Sequence, residues 1–142
     1  MAPETKFPVE VLTPEGEVFN EEVVQISTRT TIGSIGILAN HQPMLAMLDP
    51  TELRLYSSES DFTALAQGEG YMQVQRDSRV LILVDEAGKA EDLDASEWED
   101  KLKRAEEEIS NAEEGSHQKH VAERDKRRAE AFLKILKGDS SK

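Results

Sequence analysis

The 142-residue chain contains no cysteine. That excludes thiol catalysis, zinc–thiolate sites and a disulfide framework, and it fits a reducing compartment. Long apolar runs are missing as well, since no stretch approaches the roughly 20 residues that a membrane helix needs. The stretch from Met1 to Phe7 has no basic patch leading into an apolar segment, so no secretory signal is expected. Positive charge is scarce: 17 Lys and Arg stand against 29 Asp and Glu, for a net charge of −12. Nucleic acid and anionic lipid both repel such a chain. The expectation is a soluble protein that meets a membrane only through other proteins. The length allows one domain with a small appendage.

What is present is written in two periods. Over residues 1–90, short runs alternate: Val9, Val11; Val24, Ile26, Thr28; Leu53, Leu55; Phe62, Ala64, Ala66; Met72, Val74; Val80, Ile82, Val84. A period of two puts each run on one face of a strand. Turn-forming residues separate the runs at Pro14–Gly16, Asn40–Pro43, Asp49–Pro50, Ser57–Asp61 and Arg76–Ser78. Many short strands with regular breaks argue for a sandwich or barrel. Leu81 and Leu83 add apolar residues between Val80 and Val84, so that strand is expected to be buried on both faces.

After Gly88 the period changes. Trp98, Leu102, Ala105, Ile109 and Ala112 form one helical stripe. Asp94 with Glu97, or Ser96 with Glu99, offers a capping box. Glu97–Lys101, Glu99–Lys103 and Asp100–Arg104 are acid-first i,i+4 pairs, worth about 0.2–0.5 kcal/mol each. Gly115 is expected to cap this helix and Ser116 to start the next. The second helix carries Ala122, Ala129, Phe132 and Leu136 on one stripe, interrupted by Asp125. A short link favours an antiparallel hairpin over residues 91–142. Residues 91–114 carry net −8 and residues 115–142 net +4, so packing of the two helices is expected to bring unlike charges together. The stripes are thin, and the hairpin is expected to rest on the sandwich or a partner and to detach at modest cost. Gly138 to Lys142 reads as a disordered tail.

Candidate chemistry is sparse. His117 and His120 lie three residues apart near Glu113 and Glu114, but no further metal ligands converge on them. Gly33-Ser34-Ile35-Gly36 lacks the lysine and the following helix of a phosphate loop, and reads better as glycines at a strand turn or bulge, as do Gly68 and Gly70. His41 stands in a turn with no nucleophile marked nearby. No metal site or catalytic set is expected. Lys126, Arg127 and Arg128 form a basic triplet that suits either a solvated helix face or docking on an acidic surface or a phosphate.

The segment from Gly33 to Leu45, GSIGILANHQPML, resembles a signature of the ATP synthase epsilon family, Gly-Glu-aliphatic-Gly-Ile-Leu-Pro-Gly/Asn-His-x-Pro. Three further pieces match in order: Val9 to Phe19 (VEVLTPEGEVF), Gly70 to Gln75 (GYMQVQ) and Val80 to Asp94 (VLILVDEAGKAEDLD). The resemblance implies a ten-stranded β-sandwich over residues 1–90 followed by the helical hairpin. It implies a non-catalytic rotor subunit of bacterial type, peripheral on the cytoplasmic face of the cell membrane. In that role the sandwich joins the gamma subunit to the ring of membrane c subunits, and the helices reach the catalytic alpha/beta hexamer and restrain ATP hydrolysis. Thr13, His41, Gln42 and Pro43 would face gamma. Thr30, Thr31, Ile32, Gly33 and Ser34 would face the ring. Arg124, Arg127 and Arg128 would meet an acidic segment of the catalytic beta subunits.

The chain also departs from the family pattern. Ser34 replaces a common glutamate, Ala39 a common proline, and Gln67-Gly68-Glu69-Gly70 stands where a Ser-Gly-Gly run is usual. ATP-binding members carry Ile/Leu-Asp-x-x-Arg-Ala with a glutamate six residues before the aspartate. Here Leu93-Asp94 is followed by Glu97 and Trp98, and Gly88 takes the glutamate position. Asp94, Arg124 and Arg128 remain as candidate nucleotide contacts, but Glu97 would repel a phosphate, and weak or no ATP binding is expected. A β-sandwich adaptor with a helical docking arm, or a ligand-binding β protein with a helical lid, would share the two-part layout.

Overall fold

The computed structural model describes residues 5–138. Most of the expected tail, residues 139–142, lies outside the described residues. Strands β1 (Phe7–Thr13), β2 (Gly16–Val23), β3 (Gln25–Thr30), β4 (Gly33–Leu38), β5 (Met44–Leu48), β6 (Thr51–Tyr56), β7 (Phe62–Gln67), β8 (Gly70–Val74), β9 (Val80–Val84) and β10 (Ala87–Gly88) come first. A single 3-10 turn (Ala90–Asp92) leads to α1 (Ala95–Asn111) and α2 (His117–Leu136).

The strands pair in the order β10-β7-β6-β3-β5-β8-β9-β1-β2, with β4 also on β3. β3 joins the two layers: Gln25 to Ser27 pair with β6, and Thr30 pairs with Leu48 of β5. The ten strands make a sandwich close to a barrel, with β1 and β9 as a parallel pair. Phe7, Val9, Val11, Ile26, Leu53, Leu55, Met72 and Ile82 fill the interior.

Two strands differ from the alternation read above. Leu83 is 44% exposed, so β9 is buried on one face only. In β7 the inward residue is Leu65. Phe62, Ala64 and Ala66 face outward, and Ala66 is buried because the helices lie on it. Gln67 is fully buried, accepting from Thr28 Oγ1 at 2.6 Å and donating to the Asp49 carbonyl at 2.8 Å. Both of its amide atoms are satisfied, which is what makes a buried glutamine tolerable.

Asp94 caps α1, accepting from the Ser96 amide at 3.0 Å. Of the three i,i+4 pairs, Glu97–Lys101 is the one that closes, at 3.1 Å. Gly115 is not the cap of α1: the helix ends at Asn111 with extended Ala112 behind it, and Gly115, at φ +76°, sits in the turn before α2. Ser116 caps α2 through the Lys119 amide at 3.1 Å. Trp98 and Phe132 meet edge to face, 4.7 Å between centroids, while Ala105, Ala122 and Ala129 let the helices close together. Leu133 and Ile135, outside the stripe read from the sequence, are also buried.

Candidate interaction surfaces

The outer face of the β5-β8-β9-β1 layer is not covered by the helices. Register places Met47, Tyr71, Leu83 and Leu12 in one row across four strands. Met47 is 56% exposed, Tyr71 49% and Leu83 44%. The next row is Leu45, Gln73, Leu81 and Glu10. A contiguous exposed apolar row marks an interaction surface, whereas scattered apolar residues do not. Beside it, the neighbouring Glu17 carboxyl raises the Glu10 pKa, because a proton held between the two carboxyls favours the protonated form.

Thr13 ends β1 at the Leu83 end of this layer, while His41, Gln42 and Pro43 lead into Met44 at the Val74 end. The structure therefore sets them at opposite ends of one sheet. The His41 Nδ1 lies 2.8 Å from the Gln42 carbonyl oxygen, within its own turn. Thr31, Ile32 and Ser34 are exposed at the β3–β4 tip, Ile32 at 97%, and Gly33 is half-buried. Thr30 is buried; its hydroxyl accepts from the Ile32 amide and donates to the Gly33 carbonyl, and so shapes the tip. The Thr31 amide donates to the Met47 carbonyl at 3.0 Å, which brings the tip beside the apolar row.

The arginines of α2 do not pair with α1 as their net charges suggested. Arg124 and Arg127 lie 3.8 and 3.4 Å from Glu69, between β7 and β8. Arg128 pairs with Asp85, and lies 3.6 Å from Glu86, both between β9 and β10. The acids of α1 mostly point to solvent; Lys126–Glu106, at 4.0 Å, is the contact that does cross. The three sandwich carboxylates converge because two loops press together. A Cβ at Gly70 would overlap the Leu83 carbonyl and lie 2.7 Å from Val84 Cα, and one at Gly68 would strike the Asp85 carboxylate. Close backbone approach requires glycine at 70, whereas at 68 the Asp85 side chain could swing aside, so for Gly70 the turn-or-bulge reading gave too local a reason. Burial raises the Glu86 pKa, against the opposing effect of Lys101 and Arg128.

A cavity of about 240 Å³ lies between α1 and α2, lined by Trp98, Lys101, Arg104, Glu108, Asp125 and Arg128 among others. It is below the roughly 300–1,000 Å³ usual for small-molecule sites, and its charges are of both signs. Asp94 is held as a helix cap, and Arg124 and Arg128 already face carboxylates. His117 and His120 are exposed at the start of α2.

Residues 6–90 match the family model of the ATP synthase Delta/Epsilon chain beta-sandwich domain. The ATP synthase epsilon chain of Dichelobacter nodosus is 39% identical over 71% of this chain and 67% of its own length. This chain belongs to the ATP synthase epsilon family. The epsilon chain of Persephonella marina is 35% identical over 91% of this chain and 95% of its own, and the chloroplastic one of Bigelowiella natans 33% identical over 92% and 95%. Likeness to these epsilon chains therefore continues into the helices. A chain of the Euglena gracilis mitochondrial ATP synthase OSCP/F1/c-ring structure shares the fold, with TM-score 0.78 at 21% identity, over 94% of this chain and 82% of that one. No helix among the described residues is long and apolar enough to cross a membrane.

Proposed function

We propose that this epsilon chain is a non-catalytic rotor subunit with a coupling half, residues 1–90, and a regulatory half, residues 91–142. The sandwich binds gamma with the outer face of the β5-β8-β9-β1 layer, and Thr13 and His41–Pro43 form the two ends of that contact. The β3–β4 tip, Thr30 to Ser34, rests on the c ring and presents Ile32 where charge is absent at Ser34. The arginines of α2 meet an acidic surface of the catalytic hexamer and restrain ATP hydrolysis. Regulatory ATP binding is weak or absent, because Arg124 and Arg128 are occupied and Glu97, in the first turn of α1, would repel a phosphate. The chain sits peripherally on the cytoplasmic face of the membrane through these partners.

The exposed row Leu83–Tyr71–Met47, with half-buried Leu12 at its end, carries this reading, since an isolated subunit gains nothing from leaving it wet. Co-purification of the full chain with its cognate gamma subunit is the test. Wild type is expected to bind, and Leu83→Glu to lose at least tenfold in affinity while keeping its sandwich. Wild-type affinity in Leu83→Glu would move the interface elsewhere, and no binding by the folded wild type would overturn the rotor role.

A further inference from the structure

We infer that Glu69 and Asp85 form an intramolecular carboxylate clamp that masks the arginine face of α2, so that an external acidic surface must displace them. The regulatory part of this rests on the arginine docking proposed above; the clamp itself does not.

Three observations carry it. The arginines are spaced 124, 127, 128 on one helical face, and all three meet carboxylates of the sandwich. Those carboxylates come from two separate loops, and Gly70 is what lets the backbones beside them meet. The contact is also imperfectly closed: Glu69 Oε1 and Arg128 Nε are buried without a hydrogen-bond partner. A clamp with unsatisfied polar atoms is weaker than its charge count suggests, because each such atom has lost water without regaining a bond. Arg127 is 56% and Arg124 44% exposed, so an incoming acidic group can reach their guanidinium groups before the carboxylates leave. Exchange of one set of carboxylates for another changes the electrostatic energy little, and a modest difference in affinity then sets the populations of the two states.

Amide hydrogen exchange on the full chain, without partners, tests the clamp. Glu69→Lys is expected to accelerate exchange in residues 117–136 about tenfold, corresponding to about 1.4 kcal/mol, and to leave β1, β8 and β9 unchanged. Glu69→Gln should give a smaller effect in the same direction. Arg124→Glu with Arg127→Glu, added to Glu69→Lys, should restore slow exchange by reversing the pair. Wild type in 1 M salt should move toward the Glu69→Lys profile, since partly exposed pairs are screened. Unchanged α2 exchange in Glu69→Lys, or acceleration spread over the sandwich, would overturn the clamp, as would failure of the reversed pair to restore protection. In the assembled synthase, Glu69→Gln is expected to deepen the restraint on ATP hydrolysis. A clamp seen by exchange with no change in that restraint would overturn the masking. A chain that exerts no restraint in any form counts against the docking reading and leaves the exchange result standing.

Discussion

The sandwich and the hairpin are held by different means. In the sandwich, fifteen buried apolar residues from Phe7 to Val84 form one cluster behind a continuous hydrogen-bonded sheet. The hairpin rests on a cluster of six, one of which, Ala66, belongs to the sandwich. At about 1.5–3 kcal/mol for each large side chain buried, the first cluster sustains a domain and the second does not. The hairpin therefore relies on its seat over Ala66 and on the arginine–carboxylate contacts. We propose from this difference that one half is a fixed platform and the other an arm that can leave it without unfolding the platform.

The sharpest way to test that division is to damage each core in turn. Ile82→Ala is expected to cost about 2–5 kcal/mol and to lower the urea midpoint of the whole chain, helices included, because α2 loses its seat. Phe132→Ala removes the ring set edge to face against Trp98 at 4.7 Å, a local loss of about 3–5 kcal/mol. It is expected to expose Trp98, seen as a fluorescence change, while the sandwich midpoint barely moves. Equal shifts of the sandwich midpoint in the two variants would show one cooperative unit. A smaller effect is expected at Gln67, whose side chain ties Thr28 to the Asp49 carbonyl. Gln67→Ala leaves the buried Thr28 hydroxyl without its acceptor and the half-buried Asp49 carbonyl without its donor, at about 1–3 kcal/mol, and the whole of that loss should appear in the sandwich transition.

The same division explains what the sequence could disclose. Strands with one apolar face, such as Val9–Val11 and Leu53–Leu55, announce their inward side. β7 does not, because Leu65 fills the sandwich and Ala66 seats the helices, so both faces are apolar and alternation alone cannot choose. Leu83 misleads for a related reason: its apolar side chain belongs to an exposed row rather than to the core. The hairpin is legible from its period and from the caps Asp94 and Ser116, though not from Gly115, and the partners of its arginines are not legible. Net charge says that α1 is acidic; it does not say that those acids face solvent. The usable signal was local, an acid between two glycines at Gly68-Glu69-Gly70, where a departure from the family pattern places charge in a tight loop. The exposed row depends on strand order and register, which pair Leu12 with Leu83 across a parallel contact that no local pattern encodes.

A milder perturbation acts on the hairpin alone. Ser116→Ala removes the oxygen that accepts from the Lys119 amide, and a lost cap of this kind costs about 1 kcal/mol. Exchange in the first turn of α2 should accelerate roughly fivefold, with β-strand amides unchanged. A matching drop in the sandwich midpoint would tie the start of α2 to the platform more closely than its contacts indicate.

The smallest effect is expected at Glu86, and its sign separates burial from pairing. Its carboxyl is raised above the ordinary 4.5, first by burial, with Asp85 and Glu15 adding and with Lys101 of α1 and Arg128 of α2 opposing. A folded carboxyl that binds its proton more tightly than the unfolded one costs stability when ionised. That cost is fully present above the raised folded value, shrinks as pH falls through it, and is gone below about 4.5. Glu86→Gln removes the ionisable group and keeps an acceptor for Arg128. At pH 7 it is expected to be neutral or stabilising, within about 0–1 kcal/mol given its partial exposure, and to flatten the pH dependence of the melting temperature between neutral pH and 4.5. Asp85→Asn, made beside it, should weaken the seat of α2 by removing the charge that Arg128 contacts most closely. If Glu86→Gln instead destabilises at pH 7 as much as Asp85→Asn, the contact with Arg128 outweighs the burial of Glu86, and all three carboxylates hold the arm down together.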